Sequence, residues 1–139
     1  MRLRLAVSAD YANLSSDGKL NIMGVFHSIS PLAFPAALSN GFLVLEWEAG
    51  PAEVGVQRTV KIAFVEPHGA EKVAVSAPVV IPEAKRPGSP ALFNQIVNVA
   101  GTPLERSGEH AFYILADNDE KGRVELFVNE PPEGGAENG

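Results

Sequence analysis

Several groups of side chains in this 139-residue sequence have types and spacings that chemistry could use. Glu46 and Glu48 are two residues apart, so on a strand they share a face about 7 Å apart. That is the outline of a glycosidase carboxylate pair. A hydrolase built on them, or on Asp10, would also need one of His27, His68 or His110 within reach as a proton carrier. Asp117, Asp119 and Glu120 cluster as hard oxygen ligands of the kind Ca²⁺ takes. Ser16-Asp17-Gly18-Lys19 has the Ser-x-x-Lys spacing of serine acyl-enzymes.

Each has a plainer reading in its local pattern. Ser-x-x-Lys chemistry needs both residues on one helical turn, whereas these four lie between two stretches of period-2 alternation and have hairpin-turn chemistry, with Gly18 free to take positive φ. No His-x-His or His-Glu-x-x-His spacing gathers the three histidines into a zinc site. His110 is in phase with Phe112, Ile114 and Ala116, as a partly buried strand histidine with its hydrogen bond satisfied. Glu46 and Glu48 read as the solvent side of a strand, and Lys121 and Arg123 stand against a cation beside Asp117, Asp119 and Glu120. With no cysteine there is no disulfide, thiolate metal site or cysteine nucleophile. No phosphate-cradling glycine loop follows a strand. The expectation is no catalytic residue, no metal and no cofactor.

The elements that must position these residues are strands. Short apolar runs alternate or continue for a few residues between Gly, Pro, Asn and Asp clusters, and no window keeps a 3.6-residue period over ten residues. The spacing predicts strands over 3–11, 19–29, 42–49, 56–64, 72–81, 92–100, 108–114 and 123–129, with a six-residue turn at 117–122. Connections at 31–41 and at the proline-rich 82–90 are long enough to cross between sheets. Gly24 inside the second strand predicts a bulge or close backbone approach. The fold class is all-β: an antiparallel two-sheet sandwich of about eight strands, immunoglobulin-like or C2-like. Residues 1–129 form one domain, and 130–139 an acidic Pro/Gly-rich tail.

Alternation also predicts which apolar side chains face out. If His110, Phe112 and Ile114 point inward, Tyr113 and Leu115 point outward. On the next strand Val124, Leu126 and Val128 go in and Phe127 goes out. Met23 and Val25 do the same opposite Ile22 and Phe26. A Tyr113, Leu115, Phe127 strip, with Met23 and Val25, is a contact surface unless loop 31–40 or 82–90 folds over it. Asp10, Tyr11 and Asn21 are the weaker candidates for reading a small ligand, with Asp10 placed to meet Asn21 across the hairpin. Trp47, the one tryptophan, faces the core, so a carbohydrate- or nucleotide-stacking platform is missing.

The charge of −6 narrows the partners. Glu130, Glu133 and Glu137 carry half of it, leaving 14 acidic against 11 basic residues in the first 129, a net of −3. A nearly balanced body without a basic run lacks the footprint of a nucleic-acid binder. No apolar run approaches membrane-span length, and the apolar stretch after Arg4 is too short for a signal peptide. A cytoplasmic location follows as the expectation.

At Ala9-Asp10-Tyr11-Ala12, Asp17-Gly18-Lys19-Leu20-Asn21 and Gly24-Val25-Phe26 the chain resembles a family of short bacterial all-β proteins of unknown function. The similarity runs on through Phe34-Pro35, the strand 43–48, Pro51-Ala52-Glu53 and the closing Gly108-x-x-x-Phe112 hairpin, where His110 departs from the commoner aromatic. The resemblance implies a fold and a bacterial origin, and brings no activity or site residue. Taken together, these readings describe a non-catalytic protein-binding or scaffold module that self-associates or docks a protein partner through the outward strip. Its alternatives are a carbohydrate- or nucleotide-binding module, and a hydrolase using Asp10 or Glu46/Glu48 with a histidine.

Overall fold

Seven of the eight alternating segments each become one strand, because only an extended backbone places their apolar residues on common faces, and the eighth, 19–29, is divided between two. The structure, a computed structural model, describes residues 1–132. Residues 133–139 of the expected tail lie outside the described residues. The long strands are β1 (Arg2–Leu14), β2 (Leu20–Val25), β5 (Phe42–Ala49), β6 (Gln57–Val65), β7 (Glu71–Val80), β8 (Ala91–Asn98), β10 (Gly108–Ala116) and β11 (Asp119–Val128). Three two-residue strands join them: β3 (Ser28–Ile29), β4 (Ala36–Ala37) and β9 (Pro103–Leu104). A 3₁₀ turn spans Pro51–Glu53.

The protein is mostly antiparallel β-sheet. One sheet has the order β2-β1-β5-β8, a second β3-β11-β10-β6-β7, and a small third pairs β4 with β9. Only β3 and β11 run parallel. Strand β5 shows where the core sits. Leu43, Leu45 and Trp47 join Val60, Ile62, Phe64, Phe112, Ile114, Leu126 and Val128 in one buried cluster between the two large sheets. Full burial of each such aliphatic or aromatic side chain stabilises by about 1.5–3 kcal/mol.

Two boundaries differ from the sequence reading. The segment 19–29 is not one strand. Gly24 takes φ +69, β2 ends at Val25, and Ser28-Ile29 pairs with Phe127-Val128 in the other sheet. The first crossing between sheets is therefore at Phe26-His27, ahead of 31–41, while 82–90 does connect β7 to β8 across the sheets. The turn expected at 117–122 is only Asp117-Asn118, with φ of 50 and 68. Asp and Asn tolerate the left-handed region, so two residues suffice for a tight hairpin and β11 starts at Asp119.

Beyond Ala9, β1 no longer pairs with β5 and holds only β2. This hairpin folds back over the outer face of the four-stranded sheet. Val44 must lie on that outer face, since its neighbours Leu43 and Leu45 point into the main core. It is nevertheless fully buried, in a second cluster with Ala9 and Ala12 against which Val7, Leu20, Ile22 and Ile96 pack. The tip, Asp17-Gly18, reaches a cavity whose other walls include Glu46 and Asn94. The bend is fixed by the motif residues: the Asp10 side chain lies where a Cβ at Gly24 would be. Tyr11 meets Phe42 edge-on at 5.9 Å, and Asn40 Nδ2 donates to the Asp10 carbonyl at 2.8 Å.

Candidate functional site

The most exposed apolar group formed by strand pairing lies on the outward side of this hairpin arm. Leu20 and Ile22 face the sheet, so Asn21 and Met23 face away. Tyr11 is the cross-strand partner of Met23, and Ala9 that of Val25. Met23 is 65% exposed, Tyr11 49% and Val25 48%. β2 is an edge strand, so one side of its backbone has no neighbouring strand among the described residues. Leu32 and Val80 are further exposed apolar side chains elsewhere on the molecule. Such exposure is consistent with a protein-interaction surface.

On the five-stranded sheet the expected strip is interrupted. Phe127 is exposed and lies opposite Glu109. Tyr113 lies opposite Arg123, whose guanidinium carbon sits 4.2 Å from the ring centre. Between these pairs comes Ala111 with Glu125, so Phe127 and Tyr113 are four strand positions apart, about 13 Å. Leu115, beside Tyr113, is half-buried opposite Glu120. The proline-bearing loops go elsewhere: 31–40 packs Phe34, Ala36 and Leu38 into the main core, and 82–90 lines a cavity with Glu46, Leu92 and Asn94 on the other sheet.

The chemistry-bearing residues are held apart from one another. Glu48 accepts from Arg2 at 2.6 Å, and Glu46 stands 3.7 Å from Arg4, both across the β1–β5 pairing. Asp10 does not meet Asn21, whose amide donates to Ser15 Oγ at 2.7 Å, because the bend turns Asp10 onto Gly24. None of His27, His68 and His110 hydrogen-bonds to Asp10, Glu46 or Glu48 among the described residues. His110 is fully buried and stacked on Phe64 at 5.2 Å. Its Nδ1 donates to the Gly108 carbonyl at 3.0 Å, an oxygen that can only accept, which leaves Nε2 buried without a hydrogen-bond partner. The expected hydrogen bond is thus present on one nitrogen only.

The carboxylates at the β10–β11 turn each serve a cation of the protein. Asp117 takes the Thr59 N–H at 2.9 Å and Arg58 at 3.0 Å; these hold its carboxyl below the ordinary range, the backbone bond most strongly. Asp119 pairs with Lys121 and Glu120 with Arg123. Arg58 also reaches Glu53, whose carboxyl is lowered chiefly by hydrogen bonds from the terminal ammonium of Met1, then by the Gly50 N–H and Arg58. Among the described residues no group of three or more His, Cys, Asp or Glu is placed to hold a metal ion. Among the described residues no helix is long and apolar enough to cross a membrane.

Sequence reasoning missed two polar features. Glu66, only 4% exposed, is bound by Arg106 at 2.9 Å with Lys72 and His68 each at 3.8 Å; Lys72 also meets Glu105. This ties the β6–β7 turn to the loop before β10. Glu66 stands beside Pro67, where a glutamate reads as an ordinary exposed turn residue. Asn94 Oδ1, on the outer face of β8, is buried without a donor. Its position in an alternating strand gave no signal, because the arm tip that shares its cavity comes from distant sequence.

Residues 4–129 match a family model described as a family of unknown function, DUF6941. No curated protein matches the chain.

Proposed function

We propose that this chain, which belongs to the family of unknown function DUF6941, is a non-catalytic binding module that joins a second copy of itself or another protein through the outward side of its hairpin arm. The exposed Tyr11–Met23 pair on an edge strand carries the reading. It offers apolar side chains beside backbone N–H and C=O groups free to extend a sheet. Val25 is also exposed, on the far side of the Gly24 irregularity and across from Ala9, while Tyr113, Leu115 and Phe127 are separated by charges and take second place. The architecture behind it is a two-sheet sandwich. Its order β2-β1-β5-β8 departs from the A-B-E-D sheet of immunoglobulin domains. Against a hydrolase stands the commitment of Glu46 and Glu48 to Arg4 and Arg2.

Sedimentation of the wild type and Met23→Lys tests the surface, together with a photo-crosslinking residue at position 23 in the native host. The expected result is self-association weakened about tenfold or more by the lysine, the cost of losing one apolar anchor at an interface centre, or a specific protein cross-linked at position 23. Thermal stability should be unchanged, since Met23 is mostly exposed. A monomeric wild type without a cross-link at position 23 removes the proposal.

A further inference from the structure

The cavity between the arm tip and loop 82–90 has a charge arrangement found nowhere else among the described residues. It measures about 510 Å³, within the usual size of small-molecule sites. Asp17 enters from the arm tip, Glu46 and Asn94 from the outer face of the four-stranded sheet, and Glu83, Lys85 and Arg86 from the loop. Of the eleven basic side chains, nine lie within 4.0 Å of a carboxylate. Lys85 and Arg86 are the two that have no such partner among the described residues, and they are adjacent and line the same cavity. In a chain with a net charge of −6, leaving two neighbouring cations uncompensated is a specific arrangement.

The acidic groups on these walls do not neutralise them. Asp17 is held by Lys19 at 3.2 Å and Glu46 by Arg4 at 3.7 Å. The loop that presents the cations is also shaped in advance. Pro87 and Gly88, with Gly88 at φ +78, fit a type II turn, and Ser89 donates from its N–H and its hydroxyl to the Arg86 carbonyl at 3.1 and 2.9 Å. Glu83, exposed on the same loop, adds an acceptor without an ion pair among the described residues.

We infer that this cavity binds a small organic anion that carries hydroxyl donors, a sugar phosphate or sugar acid, with Lys85 and Arg86 on the anionic group and the exposed Glu83 carboxylate accepting from the hydroxyls. This goes beyond the protein-binding reading and uses a different face of the arm. The ligand would bridge the arm tip to loop 82–90. Arginine suits the anionic group because its planar fork matches two oxygens at once.

Amide-resolved NMR titrations of the full chain with glucose 6-phosphate, gluconate, inorganic phosphate and glucose test it. Saturable shifts at residues 85–89 and at the Asn94 side-chain amide are expected with glucose 6-phosphate or gluconate, whichever binds more tightly identifying the anionic group. Dissociation constants should be no weaker than about 1 mM, a level that few charge-assisted contacts reach, and should weaken with salt. Lys85→Gln/Arg86→Gln, on an exposed loop that leaves the thermal midpoint in place, should weaken binding at least about tenfold. Glu83→Ala should weaken the sugar-bearing probes about three- to tenfold without weakening inorganic phosphate. Absence of saturable shifts at these residues with both organic anions overturns the site. Equal binding of inorganic phosphate, or binding indifferent to the double substitution, overturns the ligand class.

Discussion

The outer faces of the two large sheets began from the same sequence pattern, apolar residues on both sides of the strands, and ended differently. On the four-stranded sheet the outward Val44 is fully buried, because the β1–β2 hairpin folds back and sets Ala12, Leu20 and Ile22 against it. On the five-stranded sheet Phe127 stays 44% exposed, and its neighbours in the register are Glu109 and Glu125. A continuous outward apolar patch thus drew cover from its own chain, while the uncovered patch is broken by charge. An excess of apolar residues over what one core can use therefore signals a second buried layer before it signals a partner. What reaches solvent is the far side of the covering element, where Tyr11 and Met23 lie.

Val44→Asp should break this comparison most severely. It puts a carboxylate at a fully buried apolar position with no cation in the cluster, a loss on the order of 3–5 kcal/mol. Urea denaturation measures the loss, and amide exchange across 12–22 should show the arm detaching first. A loss below about 1 kcal/mol, the range of ordinary surface changes, would mean that the arm does not cover the sheet. A smaller effect is expected at the bend. Gly24→Ala forces a side chain into φ +69, a cost of about 1–2 kcal/mol, and drives its Cβ into the Asp10 carboxylate. Pairing it with Asp10→Ala should recover the collision but not the backbone part, and a double-mutant cycle separates the two. Full additivity would remove Asp10 from the hinge.

The strands were legible because period-2 alternation and turn residues act locally. Gly24 was legible as an irregularity, and the Asp10, Tyr11 and Gly24 motif carried the resemblance that singled out this end of the chain. What the motif does was not legible. Alternation assigns Ala12 to the face opposite Ala9, yet the bend at Asp10–Tyr11 returns both to one cluster. Residues 19–29 read as one strand because nothing local marks Phe26-His27 as a change of sheet; the pairing of Ser28 with Phe127 is a contact between residues 99 positions apart. Lys85 and Arg86 read as loop charges, since their lack of carboxylate partners exists only once every other cation has found one. The Asp117 turn was read as longer than it is, because two residues at positive φ are not distinguishable from six turn-forming residues by composition.

The smallest effect belongs to the open face, and it sharpens the comparison most directly. Phe127→Glu replaces a half-exposed ring by a charge on an outward position, so stability should stay within about 0.5 kcal/mol of wild type, less a few tenths for the like charge of Glu109 across the pair. If the arm carries the contact, sedimentation of Phe127→Glu should match the wild type at every concentration at which Met23→Lys shifts toward monomer. The opposite pattern, with Phe127→Glu dissociating the protein and Met23→Lys leaving it unchanged, would exchange the roles of the two faces. The exposed ring on β11 would then be an anchor that tolerates flanking charge, as a hot spot ringed by polar groups does. The exposure of Met23 would then be only the back of a covering hairpin. Because neither substitution touches the core or the second buried cluster, the difference between them reads the contact surface alone.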